Sequence, residues 1–168
     1  MPANIGLPRL PCICFRLGNR NWLSLSVTPP DPNPIVLYDG VCGLCNRLNQ
    51  FLLKRDHDDR FRFASLQSSL AESLTLRHGA NPKDLDTVYV VVDHNRPTEH
   101  LLSRSDAIIH VLTQLGGIWK VMGIAKVIPK SLRDGVYKIV ARNRYRLFGK
   151  HESCLLPDPK HKGKFLEV

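Results

Sequence analysis

The residues of this chain with the clearest potential for chemistry are Cys42 and Cys45, which stand three positions apart in the stretch YDGVCGLCN. A close pair of cysteines can exchange disulfides, provide half of a zinc site, or lie in a core as two inert thiols. The chain has five cysteines, an odd number, and no secretory signal with an apolar central region, so a secreted disulfide framework is not expected. In a reducing compartment such a pair is more often redox-active or metal-binding than structural.

The apolar pattern around the pair predicts the elements that hold it. The run IVLYD, bounded by proline and glycine, predicts a short buried strand. Apolar residues then recur at helical spacing through LCNRLNQFLL, which predicts an amphipathic helix that ends in the charged stretch KRDHDD. Cys42 would lie in the turn after the strand and Cys45 in the first helical turn, where unpaired amides and the helix dipole favour a thiolate.

This placement predicts different roles for the two thiols. We expect Cys42 to be the nucleophile, because the residue before the helix faces solvent, and Cys45, which faces inward, to resolve the mixed disulfide. Asp39 precedes Cys42 by three residues, and its carboxylate could carry a thiol proton or accept amide hydrogen bonds in the DGVC turn. The candidate catalytic residues are therefore Cys42, Cys45 and Asp39, with no bound cofactor and no metal.

A zinc site is an alternative reading of the same cysteines. His151 and Cys154, in HESC, would complete a tetrahedral Cys3His set with Cys42 and Cys45. The two halves are far apart in the chain and lack the short loops of compact zinc modules, which counts against this site. Cys154 is instead a candidate auxiliary thiol, because His151 and nearby lysines would lower its pKa.

The rest of the chain alternates strand and helix patterns. RFRFAS predicts a second strand, the leucines up to RHGANP a second helix, and TVYVVVD with EHLLS a hairpin. Ser105 is expected to cap a third helix, and IWKVMGIAKVI and SLRDGVYKIVARNRYRLF predict two more, separated at Pro129. The order β-α-β-α-β-β-α predicts an α/β fold, a thioredoxin-like sandwich with a mixed sheet, flanking helices and additional C-terminal helices.

Size and composition fit one soluble domain, since 168 residues with 43% hydrophobic and 23% charged content are ordinary for a globular protein. Residues 1–33 are rich in proline, contain three arginines and have no acid before Asp31, which predicts a poorly structured leader before a single domain of residues 34–168. The leader could be an organelle-targeting segment or an upstream start. No apolar tract reaches the ~18 residues of a membrane span, and we expect a cytoplasmic protein unless the leader directs it to an organelle.

Most of the net charge of +9 lies late in the chain, because 12 Lys and Arg stand against 4 Asp and Glu from Gly117 onward. A basic stripe at i, i+4 spacing consists of Lys138, Arg142, Arg146 and Lys150. It could bind nucleic acid, anionic lipid or an acidic protein, which would make the chain a binding module. We expect instead that the stripe faces water and that nucleic acid is not a partner. The apolar residues of the same helix are expected to pack on the core: Val136, Ile139, Val140 and Leu147.

Several blocks of the chain, taken together, resemble a known family. VLYDGVCGLCN, RFRFASLQS, SDA, IPKSLRDGVYKIVARNRYRLFGK and the late Cys154 resemble the DCC family of predicted thiol-disulfide oxidoreductases. The family is named for an Asp-x-x-Cys-x-x-Cys signature, which is here Asp39, Cys42 and Cys45. The resemblance runs from about Pro34 to the C-terminal region.

The resemblance implies a thioredoxin-like fold and dithiol-disulfide exchange. It also implies a protein or small-molecule thiol or disulfide as substrate, and an external electron donor. Thioredoxins and glutaredoxins have a proline directly before the third strand, where this chain has Asp86 and Thr87. We therefore expect its substrate groove to differ from theirs.

Overall fold

The computed structural model describes residues 33–151 and 159–166. The strands are β1 (Ile35–Tyr38), β2 (Arg62–Ser65), β3 (Tyr89–Val92) and β4 (His100–Ser103). The α-helices are α1 (Gly43–Arg55), α2 (Ser69–Arg77), α3 (Arg104–Gln114) and α4 (Lys130–Phe148). Two 3-10 helices follow α3 and α4 and span Gly117–Val127 and Pro159–Lys164. The predicted order of strands and helices is confirmed up to α3.

The four strands form one mixed sheet in the order β2-β1-β3-β4. β1 runs parallel to β2 and antiparallel to β3, and β3 and β4 form the predicted antiparallel hairpin. The central strands β1 and β3 are buried almost throughout, which explains why IVLY and YVVV are continuous apolar runs without polar alternation. With helices packed against this sheet, the α/β thioredoxin-like prediction is confirmed.

Core side chains alternate between the two faces of the sheet. Val36 and Tyr38 of β1 belong to one cluster, which also contains Cys42 and Cys45. Ile35 and Leu37 belong to the other, with residues from β2, α2 and β3. Because successive residues of a strand point to opposite faces, the four residues of β1 contribute to both clusters. The two cysteines therefore lie on the face of the sheet that α1 and α3 cover.

Three details differ from the sequence predictions. Ser103, not Ser105, is the N-cap residue of α3, and the Ser105 hydroxyl, inside the helix, donates a hydrogen bond to Asp134 of α4. The segment Gly117–Val127 is a 3-10 helix rather than an α-helix. The prediction that the apolar residues of α4 pack on the core is wrong: Val136, Ile139 and Leu147 are between 58% and 66% exposed, and Val140 is 41% exposed.

The aliphatic residues of α4 are exposed because the other side of this helix packs against the protein. Its two buried residues are Ala141 and Arg144, a small residue and a cation. Arg144 satisfies a buried carboxylate, as described below, and this polar contact determines which side of the helix faces inward. Among the described residues, no helix is both long and apolar enough to cross a membrane.

Candidate active site

The CxxC motif lies where β1 passes into α1. Cys42 is the N-cap residue of α1, with extended backbone angles, and Cys45 is the third residue of the helix. The Cys42 amide donates to the carbonyl of Asp39 at 3.2 Å, and the Asn46 amide donates to the carbonyl of Cys42 at 3.0 Å. The Asn46 side chain also donates to the carbonyl of Gly40 at 3.3 Å. These bonds fix the turn and begin the helix at the motif.

Both thiols are reduced and buried, with Cys42 0% and Cys45 4% exposed. The prediction that Cys42 faces solvent is therefore wrong in this conformation. Residues 148–151, which we call the C-terminal cover, pair with the loop before α1. The Gly43 amide donates to the carbonyl of Gly149 at 3.2 Å, and the His151 amide donates to the carbonyl of Val41 at 2.8 Å. Lys150 forms an antiparallel bridge with Cys42.

The approach of the C-terminal cover explains the first residue between the two cysteines. A Cβ atom at Gly43 would lie 2.1 Å from the carbonyl oxygen of Phe148, well inside any van der Waals contact. Because that oxygen belongs to the backbone, it cannot move aside as a flexible side chain would. A glycine at this position is therefore required for the cover to close over Cys42.

The surroundings of Cys42 favour its thiolate. A hydrogen bond from the Cys45 thiol is the largest influence, and together with backbone hydrogen bonds from Cys45 and Leu44 it lowers the pKa of Cys42 to about 6. The positive charge of Arg144 acts in the same direction, whereas burial opposes it. The amides belong to the first turn of α1, where helix N–H groups have no partner within the helix.

Cys45 has the opposite tendency. Its hydrogen bond to Cys42, its burial and the negative charge on Cys42 all raise the pKa of the Cys45 thiol well above its ordinary range. The proton shared by the two sulfurs therefore resides on Cys45 while Cys42 carries the charge. Such a pair, with one ionised thiol and one protonated thiol held beside it, has the asymmetry that disulfide exchange requires.

Asp39 is fully buried at the end of β1, and both of its carboxylate oxygens are engaged. One oxygen accepts hydrogen bonds from the Gln67 side chain at 2.9 Å and from the Val41 amide at 3.2 Å. The other accepts from the Arg144 guanidinium at 2.9 Å and from the Tyr145 hydroxyl. The side chain thus connects the loop of the motif, the segment after β2 and helix α4.

Arg144 is the residue of the site that sequence reasoning missed. Its side chain is 3% exposed, and besides Asp39 it contacts the carbonyl of Leu85 at 2.7 Å and the carboxylate of Asp86 at 3.4 Å. A signal was present in the sequence, because Arg144 stands four positions after Val140 and three before Leu147, on the side of α4 that was predicted to face the core rather than in the basic stripe. An arginine on that face needs an internal anion as partner.

A mostly apolar cavity of 280 Å³ opens beside Cys45. Its walls come from α1, α3, α4 and the residue before β3, and they include Leu44, Ile108 and Val88, with Cys45 and Arg144 also in the lining. A cavity of this size can hold a side chain or a small apolar group. It brings such a group next to Cys45 rather than next to Cys42.

The backbone before β3, where thioredoxins have a proline, is hydrogen-bonded to helix α4. The Val88 amide donates to the Tyr137 hydroxyl at 2.9 Å, and that hydroxyl also lies 3.4 Å from the carbonyl of Asp86. Burial raises the pKa of Tyr137 to about 12, so the phenol stays protonated. The Tyr137 side chain of α4 therefore forms hydrogen bonds with the backbone amide of Val88 and the backbone carbonyl of Asp86.

The structure describes three of the four ligands of the alternative zinc site, Cys42, Cys45 and His151. Among residues 33–151 and 159–166, no group of three or more His, Cys, Asp and Glu side chains is arranged to hold a metal ion. Cys154, which the zinc hypothesis requires and which is also the candidate auxiliary thiol, lies outside the described residues, as do Cys12 and Cys14. His151 contributes its backbone amide to the C-terminal cover.

Comparison with known proteins places this arrangement in a family context. The chain is 40% identical over 135 residues to the "Uncharacterized protein YuxK" of Bacillus subtilis (strain 168), covering 80% of this chain and 95% of the relative. It is 35% identical over 145 residues to the "DCC family protein At1g52590, chloroplastic" of Arabidopsis thaliana, covering 84% and 81%. No solved structure matches the chain.

The family description "DCC1-like thiol-disulfide oxidoreductase" matches residues 36–150, which run from β1 to the C-terminal cover and include the dithiol, Asp39 and Arg144. The match therefore covers the site described above except His151, the last residue of the C-terminal cover. The chain therefore belongs to the DCC1-like thiol-disulfide oxidoreductase family.

Proposed function

We propose that the protein exchanges disulfides through Cys42 and Cys45, as a thiol-disulfide oxidoreductase. The observation that carries the proposal is the pairing of a Cys42 thiol whose pKa is lowered to about 6 with a Cys45 thiol that donates a hydrogen bond to it. Family membership supports the general reaction, and the position of the pair at the start of α1 supports the assignment of roles.

In the proposed reaction, the Cys42 thiolate attacks one sulfur of a substrate disulfide. The Cys42–substrate bond forms as the substrate disulfide breaks, and the second substrate sulfur leaves as a thiolate and takes up a proton. Cys45 then loses its proton and attacks the Cys42 sulfur, which releases the first substrate thiol and leaves a Cys42–Cys45 disulfide. A thiol donor returns the pair to the dithiol, and the same steps in reverse oxidise a substrate dithiol.

Asp39 acts in this proposal as a positioning residue. Its carboxylate already accepts four hydrogen bonds, from Gln67, Val41, Arg144 and Tyr145. Because these bonds fix the Asp39 carboxylate, it holds the guanidinium of Arg144 close to the sulfurs of Cys42 and Cys45. The charge of Arg144 then favours the thiolate that forms at each step.

The substrate is a thiol or disulfide of a protein or a small molecule, with an apolar group beside its reacting sulfur. The cavity beside Cys45 supports this preference, because its lining is mostly apolar. Since Cys42 is covered, the reaction also needs the C-terminal cover to move away from the motif.

We place the reaction in a thiol-reducing compartment. This compartment is the cytoplasm in our proposal, and an organelle is the alternative that the chloroplastic relative supports.

The decisive experiment measures reduction of a protein disulfide, such as those of insulin, with a dithiol as electron donor. Cys42→Ser should abolish the activity, and Cys14→Ser, which removes a thiol outside the pair, should leave it within about twofold of the parent. Cys45→Ser should accumulate a mixed disulfide with the substrate on Cys42. Full activity of Cys42→Ser would refute the proposed mechanism.

The auxiliary role of Cys154 needs its own variant. If Cys154 accepts the disulfide from Cys45, Cys154→Ser should slow steady turnover but leave the first reduction of substrate unchanged, as a single-turnover experiment would show. Equal steady rates would remove Cys154 from the mechanism.

A further inference from the structure

The first 3-10 helix presents an exposed apolar row. In a 3-10 helix, residues three positions apart lie directly above one another, so such residues form a straight line along the surface. The four members of this line are each between 60% and 83% exposed: Ile118, Val121, Ile124 and Val127. We call them the 3-10 row. The other side of this helix is held to the protein, since the Trp119 ring packs edge-on against Phe51 with 5.0 Å between centroids.

Helix α4, which follows after Pro129, presents a second exposed apolar line. Residues separated by three, four or eight positions lie on one face of an α-helix, and four aliphatic residues of α4 have this spacing. They are between 58% and 66% exposed: Leu132, Val136, Ile139 and Leu147. We call them the α4 stripe. It lies away from the face that carries Ala141 and Arg144, so packing against the described residues does not explain it.

Cations accompany both lines of apolar residues. Residues 117–150 contain nine Lys and Arg but a single acid, Asp134, which is bonded to the Ser105 hydroxyl. Six of the cations have no carboxylate within 4.0 Å in the described part of the chain: Lys120, Lys126, Lys138, Arg142, Arg146 and Lys150. Lys120 and Lys126 share a single edge of the 3-10 helix, beside the 3-10 row, because they are six positions apart.

Exposed aliphatic residues bordered by unpaired cations have the composition of a surface that lies in the interface of a lipid bilayer. Aliphatic side chains enter the boundary of the acyl chains, while Lys and Arg reach anionic headgroups. We propose that the 3-10 row and the α4 stripe, with their bordering cations, bind the surface of a membrane that contains anionic lipids. The dithiol, which is held by the inner face of α4, would then work close to that surface.

Charge and composition argue against three other occupants of this surface, namely a second copy of the chain, residues 1–30 and single-stranded nucleic acid. A second copy of the chain, docked by the same face, would bring cation against cation without acids to compensate. Residues 1–30 carry three arginines and no acid, so this segment has the same sign of charge. Single-stranded nucleic acid is bound through stacked aromatic rings, whereas the exposed line here is aliphatic. Anionic lipid matches both the charge and the apolar residues.

The test uses the full-length protein and vesicles, either of phosphatidylcholine alone or with about one third phosphatidylglycerol. The parent protein should sediment with the anionic vesicles and much less with the neutral ones, and added salt should weaken its binding. A variant with Ser in place of all four residues of the 3-10 row should bind at least about tenfold more weakly. Because these side chains are exposed, the variant should still fold.

Two matched controls separate this surface from general effects. Leu76 is 58% exposed on α2, so Leu76→Ser removes an equally exposed aliphatic residue elsewhere and should not change vesicle binding. Replacing Lys120 and Lys126 with Glu should weaken binding about tenfold or more, whereas the same replacement at exposed Lys54 and Lys83 should have a much smaller effect.

Several outcomes would overturn the proposal. Equal sedimentation of the parent with both kinds of vesicle, or with neither, would exclude recognition of anionic lipid. Unchanged binding by the 3-10 row variant would place the contact elsewhere in the chain. Sedimentation velocity that shows a dimer of the parent, lost in that variant, would assign the surface to self-association.

Discussion

The guanidinium of Arg144 lies 2.9 Å from the carboxylate of Asp39, although 105 residues separate them in the chain. Both side chains are almost inaccessible to solvent, at 3% and 0% exposure. The contact joins the end of the first strand to the last long helix, and it keeps a positive charge near Cys42 and Cys45. A single ion pair therefore contributes to the closure of the fold and to the reactivity of the dithiol.

We expect Arg144→Met to leave Asp39 buried without its cation and to lower the free energy of unfolding by about 3–5 kcal/mol. Urea unfolding would measure this loss, with Arg142→Met, at an exposed position of the same helix, as the control that changes stability little. The pKa of Cys42 should also rise. If Arg144→Met does not fold, Arg144→Lys should retain most of the charge effect but lose stability, since an ammonium cannot replace the contacts to both Asp39 and Leu85.

The Cys45 thiol controls the pKa of Cys42 through its hydrogen bond. Cys45→Ala removes this donor, so the midpoint for alkylation of Cys42 should move from about pH 6 toward the ordinary thiol range. Cys45→Ser provides a hydroxyl donor at the same position and should keep the midpoint low. The measurement is the alkylation rate as a function of pH, read from its midpoint because the C-terminal cover slows all rates alike. Equal midpoints for the two variants would show that the helix amides, not Cys45, determine the pKa.

Access to Cys42 should depend on Gly43. In Gly43→Ala the new methyl group would meet the carbonyl oxygen of Phe148, so the C-terminal cover should shift and Cys42 should be alkylated several-fold faster at a given thiolate fraction. Gly135→Ala is the matched control, because a Cβ atom there meets nothing within 4 Å and belongs to the same kind of element. It should leave alkylation unchanged and stabilise α4 slightly. A slower reaction in Gly43→Ala would contradict the role given to the cover.

Away from the site, Glu99 predicts a dependence of stability on pH. Burial raises the pKa of Glu99, but hydrogen bonds from the Asn95 amide, His78, His94 and Arg77 outweigh it and lower the pKa to about 2. A depressed pKa contributes stability that is complete above the ordinary value of about 4.5 and is lost as the pH falls toward 2.

The corresponding variant is Glu99→Gln. It should reduce the free energy of unfolding at neutral pH by about 2–3 kcal/mol and remove part of the loss of stability between pH 4.5 and pH 2. Urea unfolding at several pH values would measure both effects. The exposed Glu72→Gln should alter neither, and an unchanged pH profile in Glu99→Gln would show that the carboxylate contributes little.

The sheet was predictable from the sequence because its central strands are continuous apolar runs and each helix before Gly117 repeats its apolar residues at helical spacing. The cysteines were predictable for the same reason, since strand and helix patterns adjoin the CxxC on both sides. These features are local. Each can be read from a window of about 11–18 residues without knowledge of what packs against it.

The features that could not be predicted depend on contacts between distant parts of the chain. The burial of Cys42 arises from residues 148–151, and no local pattern around Cys42 indicates that a later segment will cover it. The sequence predicts the wrong inner face for helix α4, because the apolar spacing of Val136, Ile139 and Leu147 is typical of core residues when the helix is considered alone. Its orientation follows from the buried Asp39, whose need for a cation outweighs the burial of aliphatic side chains.

The pairing of Asp39 with Arg144 also has a consequence for biosynthesis. As the chain leaves the ribosome, both cysteines emerge long before the helix that supplies the guanidinium, the hydroxyl of Tyr145 and the segment that closes over the motif. A nascent polypeptide that ended before residue 144 would contain the whole CxxC motif. It would lack the cation of Arg144, which helps to lower the pKa of Cys42. The full lowering of the Cys42 pKa is thereby coupled to the synthesis of α4 and of the C-terminal cover.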